Sequence, residues 1–154
     1  MRLTVGLAGD QQLDRSLARA MANLDDWSPA LDKIADMLAD ENREQFTTEG
    51  RHGSGHAWAP LSPKYRKWKM KHFPGRPMLV RTGKLRKAMT VRPFAVEYIG
   101  RNAMRLSPGV DIPYAEYHQT GTRRMPRRRP LALSSTARRA MTKVLQRYAL
   151  TGEV

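Results

Sequence analysis

Four prolines stand at positions 60, 63, 74 and 77. Each fixes its own φ, removes a backbone N–H and biases the residue before it toward extended backbone. Neither a long helix nor a central strand can therefore cross residues 58–77, and short elements joined by stiff turns are predicted there. Pro60 and Pro63 hold Ala59 and Ser62 extended, so Trp58 and Leu61 are presented from a rigid turn, ready to dock into a core or onto a partner. Ser62 is placed to cap a helix starting at Pro63. That helix carries five cations, Lys64, Arg66, Lys67, Lys69 and Lys71, with Tyr65, Trp68 and Met70 expected on one side as core anchors under lysine stems. The same mixture suits phosphate binding and base stacking, which makes the five cations the candidate DNA-facing set.

On either side the periodicities are simpler. Leu3, Val5 and Leu7 alternate with Arg2, Thr4 and Gly6, the period of a half-buried strand. Leu13, Leu17, Ala20, Met21 and Leu24 recur at three and four, predicting a helix over residues 11–24 with that stripe on the core. A second helix is predicted from the Ser28 cap and Pro29 to about Thr47, burying Leu31, Ile34, Leu38 and Phe46. Gly50, Gly53 and Gly55 make residues 48–57 a flexible loop, expected to touch a neighbouring subunit. Thr82 is expected to cap a short helix over 83–89. Residues 90–100, 104–106 and 110–112 supply strands, with Pro93 near the start of the first or at a bulge. A final helix over 134–150 turns Ala137, Met141, Val144, Leu145 and Tyr148 inward, and residues 151–154 form a frayed tail. The prediction is one α+β domain over residues 1–150. An antiparallel sheet of about four strands packs with two longer N-terminal helices and the C-terminal helix, with extended loops.

Charge is unevenly distributed. The first 50 residues hold ten Asp/Glu against five Lys/Arg, net −5; the rest hold four against twenty-three, net +19. Such a chain suits a polyanion, an acidic protein, or a contact between the acidic part of one copy and the basic part of the next that closes a ring. Composition leaves all three open. Asp32, Asp36 and Asp40 stack four apart on one helix face, where like charges repel unless solvated or paired, so the row is an interface candidate. Arg123, Arg124, Arg127, Arg128 and Arg129, broken by Pro126 and Pro130, form an arm that stays extended until something anionic neutralises it. Signs of enzymology are weak. His52 and His56 are four apart across Gly-Ser-Gly with no Glu between them, and His118 beside Glu116 lacks a nucleophile at motif spacing. No catalytic residue, metal ligand or cofactor is assigned. The absence of cysteine fits assembly in a reducing cytoplasm. The opening residues and later apolar runs predict neither a secretory segment nor a membrane span.

Four motifs follow one another: Trp-x-Pro-Leu-Ser-Pro at 58–63, Leu-x-Arg-Thr-Gly-x-Leu at 79–85, Tyr-Ala-x-x-His-Gln-x-Gly at 114–121 and Arg-Pro-Leu-x-Leu-Ser at 129–134. In that order, over residues 30–150, they resemble the phage virion morphogenesis proteins, the tail-completion and neck proteins of tailed phages. The additional arginines at 123–128 depart from the family pattern. The resemblance implies a structural, non-catalytic protein of the virion, assembled in the host cytoplasm at the head-to-tail (neck) junction. It implies a ring, commonly a hexamer, that completes the tail or joins it to the connector, beside connector and tail proteins and with genomic DNA passing through the bore. Trp58, Pro60 and Leu61, the arginine arm and the aspartate row are the expected subunit and partner contacts. A tail terminator is the near alternative. A free basic nucleic-acid-binding protein, or a small nuclease using His118 or His52 with Arg123, is the alternative of another class.

Overall fold

A computed structural model describes residues 11–154; the strand expected at residues 3–7 lies outside the described residues. α1 (Gln11–Asp25) follows the three-and-four spacing of its apolar residues. The stripe nevertheless does not lie on the core: Leu17, Met21 and Leu24 are 54, 68 and 51% exposed. The reason is packing. α1 lies chiefly along the C-terminal helix, and nothing among the described residues covers its other face.

α2 (Ser28–Thr47) is the element against which the third, fifth and seventh helices and the first strand pack. Pro29 occupies its first turn as expected, but Ser28 is already the first helical residue: Trp27 stands at the N-cap without a side-chain cap, and the Asp26 carboxylate accepts from the Ser28 backbone N–H at 2.9 Å. Its buried side carries Ala30, Ile34, Ala35, Ala39 and Phe46, together with Asn42 and Gln45. Both amides donate to backbone carbonyls, Asn42 to Met89 O at 2.9 Å and Gln45 to Arg129 O at 3.0 Å; Gln45 Oε1 also accepts from the Gly53 N–H at 2.8 Å, whereas Asn42 Oδ1 is buried without a partner among the described residues.

The glycine-rich segment holds one helical turn, α3 (Arg51–Ser54), packed against α2. Two of its three glycines serve close approach, and Gly55 ends the turn at φ +72°. Gly50 has φ +99°, and a Cβ there would overlap the Trp58 indole; a Cβ on Gly53 would strike Ala132. α4 (Pro63–His72) starts as predicted, with Ser62 Oγ accepting from the Tyr65 N–H. α5 (Lys84–Thr90) is preceded by Gly83 at φ +87°, a left-handed entry that needs no Thr82 cap.

Among the described residues two strands form, where about four were expected over the whole chain. β1 (Val96–Ile99) and β2 (Met104–Ser107) pair antiparallel, Val96 opposite Ser107 and Ile99 opposite Met104. Residues 110–112 lie in a turn closed by Gly109 N–H to Ala88 O and Ile112 N–H to Gly109 O, both 3.0 Å. Pro93, Pro108 and Pro113 bracket the hairpin and remove the donors a longer ladder would need. α6 (Ala115–Thr120) follows, a helix not anticipated from sequence, and then α7 (Ser135–Thr151), capped by Ser134 Oγ on the Ala137 N–H at 3.0 Å. α7 ends on left-handed Gly152, whose N–H returns to Tyr148 O at 2.8 Å. The fold is α+β, but its layers are helices against helices: α2 packs on α5 and α7, and α1 on α7, with the hairpin touching α2 through β1.

Candidate partner-binding cleft

The residues that make up the four motifs are brought together twice, in a core and around a cleft. Phe46, Trp58, Val80, Leu85, Met89 and Ala115 form one buried cluster, with Leu79, Ile112 and Leu131 against it. Each motif therefore contributes an apolar side chain. Phe46 meets Trp58 edge-on at 5.6 Å between ring centres, the geometry favoured by aromatic quadrupoles.

Hydrogen bonds tie the same segments. The Arg129 carbonyl accepts from both Trp58 Nε1 and Gln45 Nε2 at 3.0 Å. The Arg128 guanidinium donates through Nε to Ala59 O at 2.7 Å and through Nη2 to Pro60 O at 2.8 Å, while its backbone N–H donates to His118 O at 2.9 Å. Gln119 exchanges bonds with Leu131 in both directions, at 3.0 and 3.2 Å. Prolines leave the carbonyls of residues 59 and 60 without a local helix or strand to accept into; the planar fork of an arginine suits two such neighbours at once.

Beside this junction lies a cleft of about 540 Å³ between α4, residues 79–85, α6 and residues 124–128. Leu61, Leu79, Val80 and Leu85 line it with apolar surface, and Tyr65 and Tyr114 stand at its sides. Leu79 is held at φ +59°, a conformation that costs an L-residue roughly 1 kcal/mol. Arg81, Lys84 and Arg124 are exposed on the lining; Lys69 and Arg128 are 6 and 5% exposed within it. No aspartate or glutamate lines the cleft. Burial pushes the Arg128 guanidinium and the Lys69 ammonium below their ordinary pKa values, the latter partly offset by Glu49. His118 is also pushed down, first by burial and then by Arg128, so it is held neutral in the pH range where an ordinary histidine begins to protonate.

A model of the phage virion morphogenesis family matches residues 8–149. The chain belongs to that family. No curated protein and no solved structure matches it. Membership of the phage virion morphogenesis family gives the chain a role in building the virion. Among the described residues no helix is long and apolar enough to cross a membrane.

Within this virion morphogenesis fold the predicted contact residues separate. Pro60, Leu61 and Arg124 lie on the cleft, and Arg123, Arg127 and Arg129 have exposed side chains. Trp58 and Arg128, expected at a partner interface, are instead buried in their own subunit, because the indole fills the space over Gly50 and the guanidinium holds the proline turn. The arginine run is thus a structured loop and not a free arm; Thr122 and Met125 close it with a bridge. The aspartate row is partly engaged. Arg92 donates to Asp36 at 2.7 Å and Asp32 at 2.6 Å and also pairs with Glu97, and Asp40 pairs with Arg43.

α4 reverses the expected assignment. Its buried residue is Lys69, whose ammonium reaches the Pro77 carbonyl, while Tyr65 and Trp68 are 39 and 40% exposed. Lys69 therefore leaves the DNA-facing set, and Lys64, Arg66, Lys67 and Lys71 stay on the surface. Tyr65, Trp68 and His72 stack along that face at 5.5 and 4.9 Å. His52 binds Glu41 at 2.8 Å. Sequence reasoning missed Gln45, Arg92 and Gln119, which join distant segments. Only the polar type of Gln45, on an otherwise apolar helix face, hinted at such a role.

Proposed function

We propose that the protein is a ring-forming component of the head-to-tail junction of a tailed phage, completing the tail or joining it to the connector, and that it works by assembly without catalysis. Beyond family membership, the observation that carries this reading is the α1 stripe. Three large apolar side chains more than half exposed on one helix are costly in an isolated subunit and are ordinary at a subunit interface. The stripe of one copy would rest on the next, the adjoining connector and tail proteins would meet the basic surfaces, and DNA would pass through the bore. A tail terminator is the same proposal at the other end of the tail tube.

A second reading is favoured by the α4 face, where stacked Tyr65, Trp68 and His72 stand among Lys64, Lys67 and Lys71. Such a face suits single-stranded nucleic acid. The decisive experiment has two parts: measurement of assembled mass in solution, and a search for the protein in purified particles by mass spectrometry and imaging. A closed oligomer present in particles supports the first reading. A monomer absent from particles, binding DNA with an affinity that falls about 0.9 log units per log salt for each phosphate neutralised, supports the second.

A further inference from the structure

We propose that the cleft between α4, residues 79–85 and the arginine loop is a docking site for an extended acidic peptide carrying an apolar anchor residue, supplied by a different virion protein. The inference rests on the assembly role above and names the partner chemistry of the cleft.

The charge pattern is the first argument. Lys69, Arg81, Lys84, Arg124 and Arg128 line the cleft and no carboxylate does. Arg128 is buried, and its hydrogen bonds go only to carbonyl oxygens. Carbonyls satisfy donors but cancel no charge, so a buried guanidinium without a counter-ion is stabilised when an anion arrives. None of the ion pairs among the described residues involves these five side chains.

The apolar lining is the second argument. Leu61, Leu79, Val80 and Leu85 offer a surface that phosphate and sugar cannot use, whereas an aliphatic or aromatic side chain seated there would leave water for an apolar surround. Cations around an apolar floor match a peptide in which carboxylates flank a hydrophobic residue.

The third argument concerns where the acid comes from. The acids of this chain are largely engaged: Asp32, Asp36 and Glu97 with Arg92, Asp40 with Arg43, Glu41 with His52 and the Ser134 N–H, and Glu49 with the Met78 N–H. α1 carries Arg15 and Arg19 against Asp14 and Asp25. Among the described residues a second copy thus has no free, strongly acidic stretch to offer, and the occupant is assigned to another protein.

The test uses the full chain and three fluorescent probes: a short Glu-rich peptide with one central Trp, the same peptide with Ser in its place, and an oligothymidylate of equal charge. Anisotropy titrations at physiological salt are expected to give saturable binding of the Trp peptide and binding about tenfold weaker for the Ser peptide. Lys84→Glu with Arg124→Glu is expected to weaken the Trp peptide at least about tenfold, while Lys64→Glu with Lys67→Glu on α4 leaves it within about threefold. Both pairs are exposed, and unchanged melting temperatures check that the variants fold. Equal binding of the two peptides, or equal losses in the two variants, overturns the proposal, since either result means a diffuse field effect. Displacement of the Trp peptide by the oligothymidylate at equal concentration overturns it in favour of nucleic acid. Loss of self-association in the Lys84/Arg124 variant assigns the cleft to a second copy and also overturns it. A protein that stays monomeric yet binds the Trp peptide through Lys84 and Arg124 keeps the cleft and removes only the ring.

Discussion

Gly50 and Arg128 each do something no other side chain could do at their positions. Gly50 combines φ +99° with an indole lying where its Cβ would be. Gly50→Ala is therefore expected to destabilise by roughly 2–4 kcal/mol, the sum of backbone strain and overpacking, read as a shifted urea midpoint. Arg128→Ala leaves the Ala59 and Pro60 carbonyls without their donors and opens a void, an expected loss of about 2–4 kcal/mol. Arg128→Lys is expected to recover less than half of that, because a single ammonium does not reproduce the two-pronged fork. Arg123→Ala, five residues away in sequence but exposed, is expected to stay within about 0.5 kcal/mol of the parent. Sequence reading treated the arginines as one class. The property that separates Arg128 from Arg123 is reach to two carbonyls 68 and 69 residues away, which no local pattern encodes.

Between elements, the most charged joint is Arg92, which holds β1 through Glu97 and α2 through Asp32 and Asp36. The hydrogen bond from Arg92 is the main reason that Glu97 sits below the ordinary carboxylate range, against an opposing effect of burial. A carboxylate depressed in the folded state contributes stability above its unfolded pKa of about 4.3 and loses it as pH falls through the folded value. Melting temperature is thus expected to fall as the pH is lowered below about 4.3 toward the depressed folded-state value, and Glu97→Gln to flatten that fall while lowering stability at pH 7. Local grammar was legible at this scale. The Ser62 cap, the start of α4 at Pro63, the end of α2 at Thr47 and the extent of α7 to within one residue at each end followed from a cap residue, prolines and apolar spacing. What sequence could not supply was which side of an element finds a neighbour. α4 has no strong apolar face, so its orientation was set by Lys69 reaching Pro77 O, and its aromatics went outward. The strand expected at residues 110–112 failed for a related reason: alternation marks a strand only where a partner ladder exists, and the flanking Pro108 and Pro113 deny one.

For the molecule as a whole, order of motifs was a better guide than composition. The +14 charge suggested contact between acidic and basic ends of successive copies, yet Arg92 and Arg43 already engage much of the acidic face of α2. The exposed α1 stripe is the stronger ground for self-association. Leu17→Asp with Met21→Asp is expected to leave the melting temperature within about 3 °C, since both side chains face solvent in the subunit, and to convert the assembled form to monomer by light scattering. Unchanged assembly would remove α1 from the interface. The carbonyl oxygen of Arg129 is the common acceptor for Gln45 and Trp58, which precede it by 84 and 71 positions. During synthesis that oxygen leaves the ribosome after most of the polypeptide, so the first half waits with an indole and an amide lacking their final acceptor. Chaperone protection should be needed longest in that interval, and nascent chains halted before residue 129 should remain sensitive to protease around Trp58.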